Sequence, residues 1–366
     1  NDAILIPGIA RDKTRQMSVI RITERSETTS SNASTAAADH ATLFPITNFQ
    51  GNPSLSSADV VRDALDGGSF HPTGNRVAVS DNATTVRIFD LDSRSECPTV
   101  LKTFTHDSGF KYGNPATRSQ DSDGECNCVS FTSDGHWMLT GINDHGVRIW
   151  NVKTGAQSQH LDRRSSVDGA AFSNDDQFVG VGALSLLKIY RFNASTGKAD
   201  IMPVMTSDFG AGEINAVDFS DDGKYVVAVG GVGSGQVRIF NTGDWSLQSE
   251  YVNPGPGNVS IKSVMFSPDS QLVAYGARQG RVRIVDLDGN LVTTLRHSSD
   301  HTFYKYDDND RSAGVESLDW TADGNYLITG GLIDGIARVW HRRNWSLVGW
   351  VRGQDPGPDS RRKQPR

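Results

Sequence analysis

A chain of 366 residues with 36% apolar content can bury a substantial core, and its net charge of −7 excludes a chain-wide surface for nucleic acid or anionic lipid. No window approaches the roughly 18 consecutive apolar residues of a membrane-spanning helix, so no membrane insertion is expected. Three cysteines, Cys97, Cys126 and Cys128, are an odd number for a disulfide framework, and Cys-Asn-Cys lacks the second ligand pair of a zinc site.

The chain opens with Asn1 rather than Met, which reads as a trimmed or processed product. Residues 3–49 hold three strand candidates: Ala3-Ile-Leu-Ile-Pro-Gly, Ser18-Val-Ile-Arg-Ile-Thr and Leu43-Phe-Pro-Ile-Thr. Beyond them an aromatic recurs at Phe70, Phe131, Phe172, Phe219, Phe266 and Trp320. Each is followed 18 to 21 positions later by Phe89, Trp150, Tyr190, Phe240, Val285 or Trp340. A repeat of this length marks an array of like units.

Residues 214–252 show the unit. Ile214-Asn-Ala-Val-Asp-Phe219 alternates as a strand does, and Ser-Asp-Asp-Gly (220–223) supplies a turn. Tyr225-Val-Val-Ala-Val-Gly230 is continuously apolar, as a strand covered on both faces should be. Gln236-Val-Arg-Ile-Phe240 and Ser246-Leu-Gln-Ser-Glu-Tyr251 complete four strands. One such sheet cannot bury both faces alone, whereas radial stacking covers each sheet with its neighbours. The expectation is a β-propeller. Its blades fall at 65–106, 126–161, 167–206, 214–252, 261–297 and 315–352, with 3–49 as a further blade lacking its innermost strand. The chain is thus predicted as all-β and seven-bladed over 1–352, with a flexible basic tail at 353–366.

Val147-Arg-Ile-Trp150, Val237-Arg-Ile-Phe240, Val282-Arg-Ile-Val285 and Ala337-Arg-Val-Trp340 resemble the third strand of the WD-repeat family, and Phe266-Ser-Pro-Asp269 resembles its first turn. The resemblance covers about residues 60–352. It implies a structural hydrogen-bonded set in which Asp144 pairs with Trp150 and Asp334 with Trp340. The family's Gly-His dipeptide has no counterpart at the expected places, near Gly210 and Arg311. The resemblance also implies a protein that holds other proteins together without catalysis.

No nucleophile elbow, phosphate loop or His-Glu-x-x-His run occurs, and neither a cofactor nor a metal is expected. The glycine run 230–235 opens no helix and so lacks the dipole that binds phosphate. Asp121-Ser-Asp-Gly-Glu125 and Asp307-Asp-Asn-Asp310 do not complete a calcium-loop pattern. Two connections of roughly 18–20 residues exceed the usual length of loops between strands. They place Phe110, Lys111 and Tyr112, and Phe303, Tyr304, Lys305 and Tyr306, on one rim, with the composition of interface anchors.

The expected function is a scaffold for other proteins, as a subunit of a larger assembly, with no nucleic acid bound. One alternative is a secreted carbohydrate- or matrix-binding module, for which the five sequons at Asn32, Asn82, Asn193, Asn258 and Asn344 speak. The other is a propeller hydrolase with its site at the central channel. A cytoplasmic compartment is favoured over secretion. The tail Ser360–Arg366 carries four positive charges and reads as a solvated end.

Overall fold

The computed structural model describes residues 2–9, 15–23, 42–48, 65–81, 85–90, 99–106, 126–143, 145–163, 165–210, 212–230, 235–253, 260–277, 280–297, 314–331 and 336–352. These residues are all-β, with no helix among them. In the repeat unit, Ile214–Phe219, Tyr225–Gly230, Gln236–Asn241 and Leu247–Val252 pair antiparallel in that order as one blade. The second strand is covered along almost its whole length and the outermost is largely exposed, as the apolar run and the alternation require.

Five further blades repeat this order. Blade one comprises Leu65–Phe70, Arg76–Asp81, Thr85–Asp90 and Thr99–Thr105, and blade two Cys126–Phe131, Trp137–Ile142, Gly146–Asn151 and Gln157–Leu161. Blade three comprises Val167–Phe172, Phe178–Ala183 and Leu186–Asn193, its outer edge shared by Lys198–Ala199 and Met205–Asp208. The repeat unit above is blade four. Blade five comprises Ile261–Phe266, Leu272–Ala277, Arg281–Asp286 and Leu291–Arg296, and blade six Val315–Trp320, Tyr326–Gly331, Ile336–His341 and Ser346–Arg352.

The expected count of seven is corrected to six. Asp2–Ile9, Arg15–Thr23 and Thr42–Asn48 pair as a sheet of three strands, not four. The strand missing from it is not the innermost one. Asp2–Ile9 lies beside the innermost strands of blades one and six, and no strand pairs with the far edge of Thr42–Asn48 among the described residues. The intervening sequences are rich in Ser, Thr, Ala and Asn and offer no alternating apolar run for a fourth strand.

The aromatic markers explain the stacking. Each junction between consecutive complete blades holds a hydrophobic core, and both markers of a blade face the blade before it. Phe219 and Phe240 of blade four pack with Leu187, Ile189 and Phe209 of blade three, and Trp320 and Trp340 of blade six pack with Ile284 and Leu295 of blade five. Burying one such ring contributes about 4–6 kcal/mol gross.

The turn signature is equally physical. Ser220 Oγ donates to Asp222 Oδ1 at 2.8 Å and accepts the N–H of Tyr225 at 2.9 Å, while Gly223 takes a φ of 71°. A hydroxyl, an Asp two residues on and a residue that tolerates positive φ close the hairpin. Ser173 with Asp175, Ser267 with Asp269, Thr132 with Asp134 and Thr321 with Asp323 repeat it.

Candidate functional site

The innermost strands converge on the axis, and their sequence shows it. The third position of each is small: Gly67, Cys128, Gly169, Ala216, Ser263 and Ser317. A Cβ on Gly169 would sit 2.5 Å from the Cα of Ala216, and one on Gly67 would sit 2.8 Å from the carbonyl oxygen of Asn127. Backbones this close leave no room for a larger residue. Burial pushes the thiol of Cys128 up to about 12, which suits packing and not reactivity.

Beside these small residues, the innermost strand of each complete blade breaks register: between Leu65 and Gly68, Cys126 and Cys128, Val167 and Gly169, Ile214 and Ala216, Ile261 and Ser263, and Val315 and Ser317. A bulge leaves its extra residue unpaired and re-aims the side chain. The re-aimed residues Asn127, Asp168, Asn215, Lys262 and Glu316 line a channel cavity of about 620 Å³. They stand one residue inside the strand ends at which the loops enter, so they form the mouth on the loop-bearing face.

The amides bind this ring together. Asn127 Nδ2 donates to Asp168 Oδ1 at 2.6 Å, Asn215 Nδ2 to the carbonyl of Ile261 at 2.6 Å, and Lys262 Nζ to Asn215 Oδ1 at 3.4 Å. Burial, and then the neighbouring carboxyl of Glu213, push Asp168 up to about 6, against the pull of Lys262 and Asn127. Further along the same strands lie Asp218 and Asp319, each raised to about 7 by burial. Asp218 Oδ2 accepts the N–H of Phe266 at 2.8 Å, a link between blades four and five. Asp319 lines the cavity, as do Ser317 and Trp320, whose Oγ and Nε1 have no hydrogen-bond partner. Among the described residues no three His, Cys, Asp or Glu side chains converge as metal ligands.

The rim residues expected to meet a partner, Phe110, Lys111, Tyr112 and Phe303, Tyr304, Lys305, Tyr306, lie outside the described residues. So do Asp144 and Asp334, the glycine loop at 231–234, the two acidic loops and the tail. Their neighbours are informative. Trp150 Nε1 donates to Thr140 Oγ1 at 2.9 Å and Trp340 Nε1 to Thr329 Oγ1 at 3.0 Å. His297 contacts the carbonyl of Thr329 through Nε2 at 3.1 Å, and Arg338 Nη1 meets its Nδ1 at 2.5 Å. His106 lies edge-on to Trp150 at 5.1 Å.

The Gly-His dipeptide has no counterpart at the expected places, but two histidines stand beside these tryptophan and threonine sets. They follow the outermost strands of blades one and five, with Thr105 and Arg296 where the dipeptide has Gly, so a search for Gly-His passed over them. The parallel endings Thr103-Phe-Thr-His106 and Thr294-Leu-Arg-His297 were the available signal.

The basic residue of the third strand also acquires a role. It reaches back to the end of the preceding blade's outermost strand: Lys188 to Asp162, Arg238 to the carbonyl of Asp208 at 2.7 Å, Arg283 to Asn253, and Arg338 to His297. The four junctions from blade two to blade six are thereby pinned by a charged hydrogen bond close to the loop-bearing face.

Set beside known proteins, the chain matches the WD40 family model (WD domain, G-beta repeat) at residues 115–151, 204–241 and 289–341. It is 27% identical over 210 residues to target of rapamycin complex subunit wat1 of Schizosaccharomyces pombe, covering 57% of this chain and 59% of that protein. Over 209 residues it is 22% identical to protein LST8 homolog of Drosophila melanogaster, covering 56% and 59%. Over 160 residues it is 25% identical to pre-mRNA-processing factor 19 of Oryza sativa subsp. japonica, covering 43% and 29%. The chain therefore spans three fifths or less of the length of these relatives.

Proposed function

The chain belongs to the WD-repeat family, and from that premise we propose that it is a non-catalytic scaffold, binding a partner protein through the face on which the connections 107–125 and 298–314 emerge. The observation that carries the reading is the coincidence of that face with the polar channel mouth. Loops 107–125 and 298–314 return to the blades at Cys126 and Val315, each one residue before a member of the ring. Relatives named as subunits of complexes support protein partners.

Changing Phe303, Tyr304 and Tyr306 together to Ala tests it. The variant should keep the wild-type far-ultraviolet spectrum and lose co-purifying chains that the native protein retains. Full retention of those chains by the folded variant, and by the matching Phe110/Tyr112 variant, would remove the rim from the interface.

A hydrolase at the channel has one observation in its favour, the raised carboxyls along the axis. Asp218 is committed to a backbone N–H between blades, and Asp168 to the Asn127 amide. Burial is the first cause of all three raised values, those of Asp168, Asp218 and Asp319, and the scaffold is the stronger reading.

A further inference from the structure

We propose that the circumference of blade three carries a second interaction surface, on which Ile201 and Met202 insert as a pair into an apolar, acid-rimmed cleft of a partner protein. The proposal extends the scaffold reading from the loop-bearing face to the side of the ring, and rests on it for the premise that the partner is a protein.

Among the complete blades, the outermost strand is continuous in five and interrupted in blade three. There Lys198–Ala199 pairs with residues 192–193 and Met205–Asp208 with residues 186–189, so residues 200–204 stand opposite Tyr190 and Arg191 alone. An excursion of this kind re-aims side chains that a regular strand would keep in register. Ile201 and Met202, at its tip, are 87% and 75% exposed, the highest values for large apolar side chains among the described residues.

The apolar residues on either side of this pair turn inward. Ala199 is buried in the core between blades two and three, and Val204 and Met205 pack against the core between blades three and four. The backbone of the excursion is pinned at both ends, the N–H of Asp200 donating to the carbonyl of Arg191 at 2.8 Å and that of Val204 to the carbonyl of Ile189 at 2.7 Å. Gln159 of blade two grips Ala199 in both directions, Nε2 donating to its carbonyl at 2.8 Å and Oε1 accepting its N–H at 2.6 Å. Trp137 Nε1 donates to the carbonyl of Ala194 at 2.7 Å, and Gly197 lies so close to the Trp137 ring that a Cβ there would collide with it. Two apolar side chains are thus held out in water by a fixed backbone. A pre-ordered anchor loses little conformational entropy on binding, and a few such residues carry most of an interface's affinity.

Size and charge select the occupant. Two side chains per copy fall far short of the roughly 800 Å² per partner that a stable interface buries, which disfavours self-association across this point. A concave partner encloses the pair and adds its own rim to the buried area. Arg191 and Lys198, both exposed, flank the excursion against one exposed carboxylate, Asp200, and carboxylates on the partner's rim complement that excess. A lipid surface fits less well, because stable anchoring takes a second strong signal and the chain carries a net charge of −7.

Replacing Met202 of the full chain by the photo-crosslinker p-benzoylphenylalanine, in the cells that make the protein, identifies the occupant. The same group in place of Leu291, on the outermost strand of blade five, is the control. The partner so identified is then purified and titrated calorimetrically with the full chain. Ile201→Ser/Met202→Ser should weaken binding at least about tenfold. Its far-ultraviolet spectrum and unfolding midpoint should stay those of the wild type, because both side chains lie outside the core. Lys198→Glu should weaken binding several-fold at low salt, with the loss shrinking at high salt. Cross-linking from position 202 no stronger than from 291, cross-linking to a second copy of this chain alone, or undiminished affinity of the double variant would overturn the proposal. Flotation of the full chain with phosphatidylserine vesicles that the double variant loses would replace the protein partner by a lipid surface and overturn it equally. If the double variant keeps its partner while the Phe303/Tyr304/Tyr306 variant loses it, this surface falls and the scaffold reading stands. The opposite result retains this surface and removes the rim.

Discussion

Asp218 on blade four and Phe266 on blade five are joined by a hydrogen bond of 2.8 Å from the backbone N–H to a carboxyl oxygen buried beneath the inner strands. The carboxyl belongs there as an acceptor, yet its ionised form is penalised, and burial raises it to about 7. Its unfolded value is about 3.9. Between those values the folded state holds more protons than the unfolded one, so this group's contribution to stability declines as pH rises from about 4 to about 7.

Asp218→Asn keeps an acceptor for Phe266 and cannot ionise. The stability difference between variant and wild type should therefore shift in favour of the variant across that pH window, by several kcal/mol at most, and level off above it. Asp319→Asn should behave alike, since burial also raises Asp319 to about 7. Comparing variant with wild type cancels His106, which burial and Arg148 hold down to about 3 and which acts in the opposite sense. Denaturant unfolding at several pH values reads the difference directly. A difference independent of pH would show that the carboxyl is not the titrating group.

Blades five and six offer a test of packing. In blade six Thr329 accepts from Trp340, whereas the matching positions in blade five hold Tyr275 and Val285, both fully buried. The large ring has moved from the third strand to the second. Tyr275→Thr should cost roughly 3 kcal/mol or more through the cavity it leaves, and Val285→Trp about 1–3 kcal/mol through overpacking. The double variant should cost clearly less than their sum, because it rebuilds the blade-six pair. Strict additivity in unfolding free energies would mean that the two sites do not share one volume.

Gly169 and Gly74 separate two reasons for glycine. An Ala at 169 meets the Ala216 backbone at 2.5 Å and should destabilise by about 3 kcal/mol or more, with loss of soluble yield. An Ala at 74 meets nothing within 4 Å and suffers only its φ of 74°, a cost of about 1–2 kcal/mol. Thermal unfolding of both variants ranks them, and the reverse order would contradict the close approach of the inner strands.

His106 and His297 occupy like positions with unlike partners. Both ring nitrogens of His106 are buried without a hydrogen-bond partner, so His106→Phe should be neutral or stabilising. His297→Phe removes the contacts to Thr329 and Arg338 and should cost about 2–3 kcal/mol. Equal costs in denaturant unfolding would show that the surrounding aromatic packing, not hydrogen bonding, decides both.

The strands were legible because alternation, continuous apolar runs and hydroxyl-x-Asp turns each have a local cause. Leu272–Ala277 and Tyr326–Gly331 could be placed from residue pattern alone, with both faces covered. The channel site was not legible in that way. Asn127, Asp168, Lys262 and Glu316 look like ordinary polar members of alternating strands. Only the register breaks beside them direct them to the axis, and a bulge depends on how two strands pair. The histidine positions were missed for a related reason, since their identity lies in the contact with Thr329 and Trp150 and not in the residue that precedes them.

By itself the sequence determined a repeated four-stranded unit, its order along the chain and the aromatic rings that face the preceding blade, because the strand period and turn chemistry act over a few residues. The tertiary structure alone decided that six units are complete, that the N-terminal sheet has three strands, and which side chains share the channel. Those outcomes depend on backbones brought together across the ring, where Gly169 meets Ala216 and Asp168 meets Glu213, at separations of more than forty residues.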